Sequence, residues 1–135
     1  MSQFHAMLAE VLMIRGKPAY ALDEIQRMLT LTETTHDSYV NAELHRLAAA
    51  CHLALGDAEP AEAELNRAIG IARAQRALTI ELRAATALGR IWFDRGEQNG
   101  ARALLQRALD ALGGDAEQTV DVRRARACLS EWAST

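Results

Sequence analysis

The sequence predicts an all-α fold: an α-solenoid of three helix pairs closed by one further, capping helix. Three observations predict it. Gly16, Gly56 and Gly96 recur at steps of 40 residues, each closing an apolar helical stretch, "AEVLMIRG", "ACHLALG" and "GRIWFDRG". A pattern of residue size recurs in register with them. Small Ala9, Ala49 and Gly89 precede the glycines; Ala21, Ala61 and Ala101 follow, then large Ile25, Leu65 and Leu105, then Met28, Ala68 and Ala108. Lastly, half of the residues are hydrophobic, yet aromatics are only 4%, Ala and Leu dominate, and Pro18 and Pro60 are the only prolines. That is a helix-forming composition. The physics joins these observations. Glycine takes the left-handed backbone that ends a helix without a Cβ penalty. A small residue lets two helix axes approach, and the large aliphatic fills the gap beside it. One helix pair cannot hide its apolar side, so neighbours stack into a continuous core.

Taken in order, the first pair is predicted over about Gln3–Arg15 and Pro18–Leu31, with Pro18 in a first turn, where its missing N–H costs nothing. The second covers about Tyr39–Leu55 and Pro60–Gln75, with Asp57 as N-cap ahead of Pro60. The third covers about Leu78–Arg95 and Asn99–Leu112. "TETTHDS" and "GGDAEQ" are read as loops between pairs. A seventh helix over about Val120–Trp132 covers the open end of the stack. The 135 residues are read as one domain, with repeats over about 3–37, 38–77 and 78–116 and the capping helix over about 120–132. The chain opens on helix from about Gln3, as a segment of something longer would.

Charge and special residues narrow the function. A formal net charge of −3 argues against attraction to nucleic acid or membrane. No apolar run approaches the roughly 18 residues of a spanning helix, and residues 1–15 lack the pattern of a secretory signal. Cys51 and Cys128 are read as two small buried thiols of a reduced, cytoplasmic chain rather than a disulfide. His45 and His52 share a helix face but lie two turns apart, about 10.5 Å, too far for one zinc. Both are read as core histidines with a hydrogen-bond partner. Cys51 and His52 are no catalytic dyad, because sequential helix neighbours diverge. "GGDAEQ" is not a phosphate-binding loop, and nothing places a nucleophile beside a base. Glu62 and Glu64 read as a solvated helix face. Catalytic residues, metal and cofactor are therefore all expected to be none.

The spacing small–x6–Gly–x4–Ala–x3–large–x2–Ala resembles the tetratricopeptide repeat, lengthened from its usual 34 residues. "AELHRL", "AEAELNRAI", "LTIELRAATALGRIWFDRGE", "ARALLQRAL" and the final "DVRRARACLSEW" also resemble the C-terminal helical-repeat regions of large bacterial signalling ATPases. Those include maltose-regulator-like transcription activators and multidomain nucleotide cyclases. The aromatic positions depart from the pattern. His5 and His45 stand in the first aromatic slot and Leu12 and His52 in the second, which only Trp92 fills.

The resemblance implies that the first helix of each pair lines a concave groove. It assigns the stripe Glu43, Arg46, Ala50, Leu53 to that side on the second unit. Steps of 40 give Gln3, Ala6, Glu10, Met13 on the first, Arg83, Thr86, Arg90, Phe93 on the third, and Arg123, Arg126, Ser130 on the last helix. The expected binding surface is thus Arg46, Arg83, Arg90, Arg123 and Arg126, with Leu53, Met13 and Phe93 as apolar anchors. Arginine grips carboxylates in bidentate fashion, so an acidic peptide of a protein partner is the expected ligand. The competing reading is an internal ladder in which Glu43 and Arg83, at equal height, pair with each other. The function expected is a non-enzymatic interaction module in a bacterial signalling or transcription regulator. Two alternatives stand beside it. One is a small-molecule effector sensor, for which only Phe93 offers an aromatic platform. The other is self-association into a homodimer through Phe4, Met7 and Val11.

Overall fold

A computed structural model describes residues 15–35, 38–113 and 119–133, and the structural statements below concern those residues. They form six helices and no strand: α1 (Pro18–Thr35), α2 (Ser38–Ala54), α3 (Ala58–Gln75), α4 (Leu78–Asp94), α5 (Gln98–Leu112) and α6 (Val120–Ala133). Each of α1 to α5 packs chiefly on its neighbours in sequence, α2 touches α4, and α6 rests on both α4 and α5. The result is a solenoid-like stack in which contacts pass from one helix to the next.

The recurring size pattern is the core. Ala21, Ile25, Met28, Ala49, Ala61, Leu65, Ala68, Ala101, Leu105 and Ala108 are all at most 4% exposed, and Gly89 is buried with them. One cluster joins α1 to α2 through Ile25, Met28, Leu44 and Cys51. A longer one runs from Ala49 through Leu65, Leu88 and Leu105 to Trp132. Burying a leucine fully is favourable by about 1.5–3 kcal/mol. α6 packs on the end of this cluster: its Val122, Ala125, Cys128 and Trp132 are buried, while Arg123, Arg124, Arg126, Ser130 and Glu131 are exposed.

Gly16, Gly56 and Gly96 share a left-handed backbone, with φ of 76°, 83° and 96°, and Gly56 and Gly96 follow the ends of α2 and α4. After Gly56, the N–H of Asp57 donates to the His52 carbonyl at 2.8 Å; after Gly96, Glu97 N–H donates to the Trp92 carbonyl at 2.8 Å. The α3–α4 turn uses the same wiring, Ala77 N–H donating to the Ala72 carbonyl at 2.8 Å. There the left-handed residue is Arg76, at φ 55°, so an arginine does what glycine does at the other turns.

Boundaries shift where no breaker enforces them. α1 continues to Thr35, so "TETT" is helical rather than loop. Those residues contain neither Gly nor Pro, and nothing in them stops the hydrogen-bond ladder. His36 and Asp37 lie outside the described residues, as do the helix expected over about Gln3–Arg15 for all but Arg15, the proposed Met13 anchor, the Phe4–Met7–Val11 face and most of "GGDAEQ". α3 begins at Ala58, two residues before the expected Pro60, which sits within the first turn, where N–H groups have no intrahelical acceptor. Asp57 occupies the N-cap position, but its side chain makes no capping hydrogen bond. Among the described residues no helix is long and apolar enough to cross a membrane.

Candidate functional site

α2, α4 and α6 lie side by side and leave a cleft of about 530 Å³ between them. Its lining is Arg46 from α2, Arg83 and Thr86 from α4, and Val120, Asp121 and Arg124 from α6. The cleft exists because the buried residues of these helices are displaced around each helix from the polar ones. Leu44, Ala48, Leu82, Ala85, Val122 and Ala125 turn into the core, and the arginines one or two residues away are left at the margin.

Two of the cationic groups, Arg46 and Arg83, carry carboxylate neighbours. Arg46 donates through Nε to both oxygens of Glu43, at 3.2 and 3.1 Å, and also through Nη2. Arg83 Nε donates to Asp121 Oδ2 at 3.0 Å, and its Nη1 lies 3.9 Å from Glu43 Oε1. The equal-height pairing of Glu43 with Arg83 therefore forms, though as a long contact. Thr86 donates to the Leu82 carbonyl at 2.8 Å within its own helix.

The other residues expected on this surface are distributed differently. Arg90 donates through Nη2 to Cys128 Sγ at 3.4 Å, tying α4 to α6 beyond the cleft. Phe93 is no open anchor: its ring stacks on Trp132 with centroids 5.0 Å apart and planes 11° apart, and the Arg102 guanidinium lies 5.9 Å from its centroid. Leu53 is 40% exposed but does not line the cleft. Arg123 is exposed and also lies off it, and Arg126 lines a separate depression with Gln106, Leu109, Asp110, Gly113 and Leu129. Arg124 stands in the cleft instead. The core register of α6 keeps the step of 40, since buried Leu82, Ala85 and Leu88 recur as buried Val122, Ala125 and Cys128. The contacts between α4 and α6 are offset by two residues: Arg83 meets Asp121 and Arg90 meets Cys128, both 38 residues on. That offset brings Asp121 and Arg124 to the cleft beside Arg83 and Thr86.

A second polar cluster binds α2 to α3. His45 Nδ1 is 2.8 Å from Glu64 Oε2, and Arg67 Nη1 donates to Glu64 Oε1 at 2.8 Å. Glu64 is buried, and as a carboxylate it accepts from Nδ1–H, which fixes the tautomer of His45. Burial pushes the Glu64 carboxyl up, but the hydrogen bond and charge of His45, with Arg67 and His52, outweigh it and hold the group below the usual carboxylate range. Glu62 accepts from Trp92 Nε1 at 2.9 Å and from Arg95 Nη1 and Nη2 at 2.8 and 3.1 Å. The Arg95 and then the Trp92 hydrogen bonds lower its pKa. The expectation that Glu62 and Glu64 form a solvated face is therefore corrected: these side chains fasten α3 to α2 and to the end of α4. His45 has its partner, but the buried Nδ1 of His52 has none among the described residues. Burial pushes the Cys51 thiol up, away from thiolate reactivity. Among the described residues no three His, Cys, Asp or Glu side chains gather as metal ligands.

An acid titration checks this cluster. Folding lowers both carboxyls from about 4.5, so their contribution is complete above pH 4.5 and is lost as pH falls through the lowered folded values. Urea midpoints are expected to hold between about pH 7 and pH 5 and to drop below pH 4.5, with a shallower drop in Glu62→Gln and Glu64→Gln. Parallel acid profiles for wild type and both variants would show that neither carboxyl is linked to folding.

No protein-family model matches the chain, and comparison with curated proteins finds no relative.

Proposed function

We propose that this chain is a non-enzymatic protein-interaction module, built of tetratricopeptide-like helix pairs, that holds an acidic segment of a protein partner in the cleft between α2, α4 and α6. The observation that carries the reading is the convergence of Arg46, Arg83 and Arg124 from three helices on one open cavity. The cleft thus gathers three guanidiniums in a chain that as a whole is at −3. A planar guanidinium is suited to carboxylates, and a cleft set by packed helices needs little rearrangement to bind. The equivalent bends and the repeating core register support the repeat assignment. On that resemblance, the biological setting is the regulatory or scaffold region of a bacterial signalling or transcription regulator. The effector-sensing alternative needs an open aromatic platform, and Phe93 is taken up by Trp132 and Arg102.

The test is charge reversal. A dye-labelled hexaglutamate peptide, with hexalysine as control, is titrated into the wild type and into Arg83→Glu/Arg124→Glu at low salt. Reversal is expected to weaken hexaglutamate binding at least tenfold, since two attractive contacts become repulsive, and added salt is expected to weaken the wild type. Equal affinity of wild type and the reversed variant for hexaglutamate would remove the cleft from the function.

A further inference from the structure

We propose that Asp121 sets the specificity of the cleft: it competes for Arg83 from within the chain, so that a segment with one carboxylate is held poorly and one with two adjacent carboxylates is held well. This rests on the reading of the cleft as an acidic-segment site.

The inference starts from how the three guanidiniums are occupied. Arg46 faces Glu43. Arg83 spends its Nε–H on Asp121 at 3.0 Å, while Nη1 has only the 3.9 Å contact with Glu43. Arginine has five N–H donors in a fixed fork, so most of those on Arg83 remain without a close acceptor. Arg124 lines the same cavity and has no acidic partner among the described residues.

Asp121 is held where it competes best. It lies in the first turn of α6, where a carboxylate is favoured by the unpaired N–H groups, and the Val122 N–H donates to Thr119 Oγ1 at 3.2 Å beside it. α6 itself is anchored by buried Val122, Ala125, Cys128 and Trp132. A carboxylate so fixed acts on Arg83 at a high effective concentration. An incoming single carboxylate either takes Arg124 alone or exchanges one carboxylate for another on Arg83. A pair of adjacent carboxylates takes Arg124 with one and the unspent N–H groups of Arg83 with the other. Asp121 therefore discriminates by charge count, and removing its charge removes the discrimination.

The experiment uses two amidated peptides, Gly-Ser-Glu-Gly-Ser and Gly-Ser-Glu-Glu-Gly-Ser, titrated into nitrogen-15-labelled protein and followed by NMR shifts. The proteins are wild type, Asp121→Asn and, as a control for net charge, Asp110→Asn on α5. Wild type is expected to prefer the two-Glu peptide. Asp121→Asn is expected to tighten the one-Glu peptide about fivefold, the most that one exposed ion pair provides, and to narrow the preference, while Asp110→Asn does neither. A circular dichroism melt checks each fold, and Asp121→Ser repeats the test if the Asn variant is unstable. Unchanged or weaker binding of the one-Glu peptide by Asp121→Asn overturns the inference. If hexaglutamate still binds wild type and the reversed variant still loses it, the cleft reading survives and Asp121 is only a fastener of α6. Loss of the fold in both Asp121 variants also overturns it. Failure of wild type and Asp121→Asn to bind either peptide, with hexaglutamate equally unbound, overturns both readings.

Discussion

Trp132→Ala is expected to lower the free energy of unfolding by about 3–5 kcal/mol, the range for truncating a buried aromatic. Trp132 is 4% exposed, stacks on Phe93 at 5.0 Å, and lies against the one buried glycine of the repeating core, Gly89. A Cβ at Gly89 would stand 2.9 Å from the far edge of the indole, closer than such atoms approach. The fit is therefore mutual: the absent side chain at position 89 makes the space that the indole fills. Removing the ring leaves α6 held by Val122, Ala125 and Cys128, and its amides are expected to lose hydrogen-exchange protection before those of α3. Gly89→Ala gives the converse. In the wild type the new methyl displaces a rigid ring, at a cost of about 1–3 kcal/mol. In the Trp132→Ala background the clash is gone, and alanine's better helix propensity makes the same change stabilising by up to about 1 kcal/mol. Urea unfolding of the four proteins forms a double-mutant cycle. Additive effects within about 0.5 kcal/mol would show that the two positions do not share a space.

Leu65→Ala is expected to cost about 3–5 kcal/mol, the upper part of the range for such truncations. Leu65 is fully buried in the long cluster that also holds Ala49, Ala61, Ala68 and Leu82. The cost of a cavity depends on how well neighbours collapse into it, and alanines have no rotamers to offer. The location adds a second effect. Because α3 is the link between α2 and α4, weakening it separates the two ends of the stack. Unfolding is then expected to lose two-state character, with probes in α1–α2 and in α4–α6 melting at different urea concentrations. Coincident transitions with a loss below about 1 kcal/mol would show a core that repacks freely.

How much of this was legible beforehand depends on the kind of signal. The bends at Gly56 and Gly96 were readable because glycine tolerates a positive φ; the bend at Arg76 was not, since arginine carries no such mark and is held there by the packing of α3 on α4. Arg46 and Arg83 line one cleft because α2 and α4 keep the repeat's own spacing. Arg123 and Arg126 lie off the cleft because α6 is offset by two residues along α4, Arg83 meeting Asp121, and no single position in the sequence marks that offset. Glu64 was taken for a solvated residue because a carboxylate two positions from another, Glu62, and two from Asn66 looks like a surface. Its burial depends on His45, 19 positions away, and on Arg67.

What the sequence alone determined, then, is the local and the periodic: helices, their main stops, and the small-and-large register that became the core. Those follow from backbone sterics and from side-chain size, which each residue carries wherever it sits. The tertiary structure alone decided that Asp121 meets Arg83 and Glu64 meets His45, how α6 is offset along α4, and that Phe93 is covered by Trp132. Those depend on the rotation of one helix against another, and rotation is settled by packing across the whole interface rather than by any residue in it.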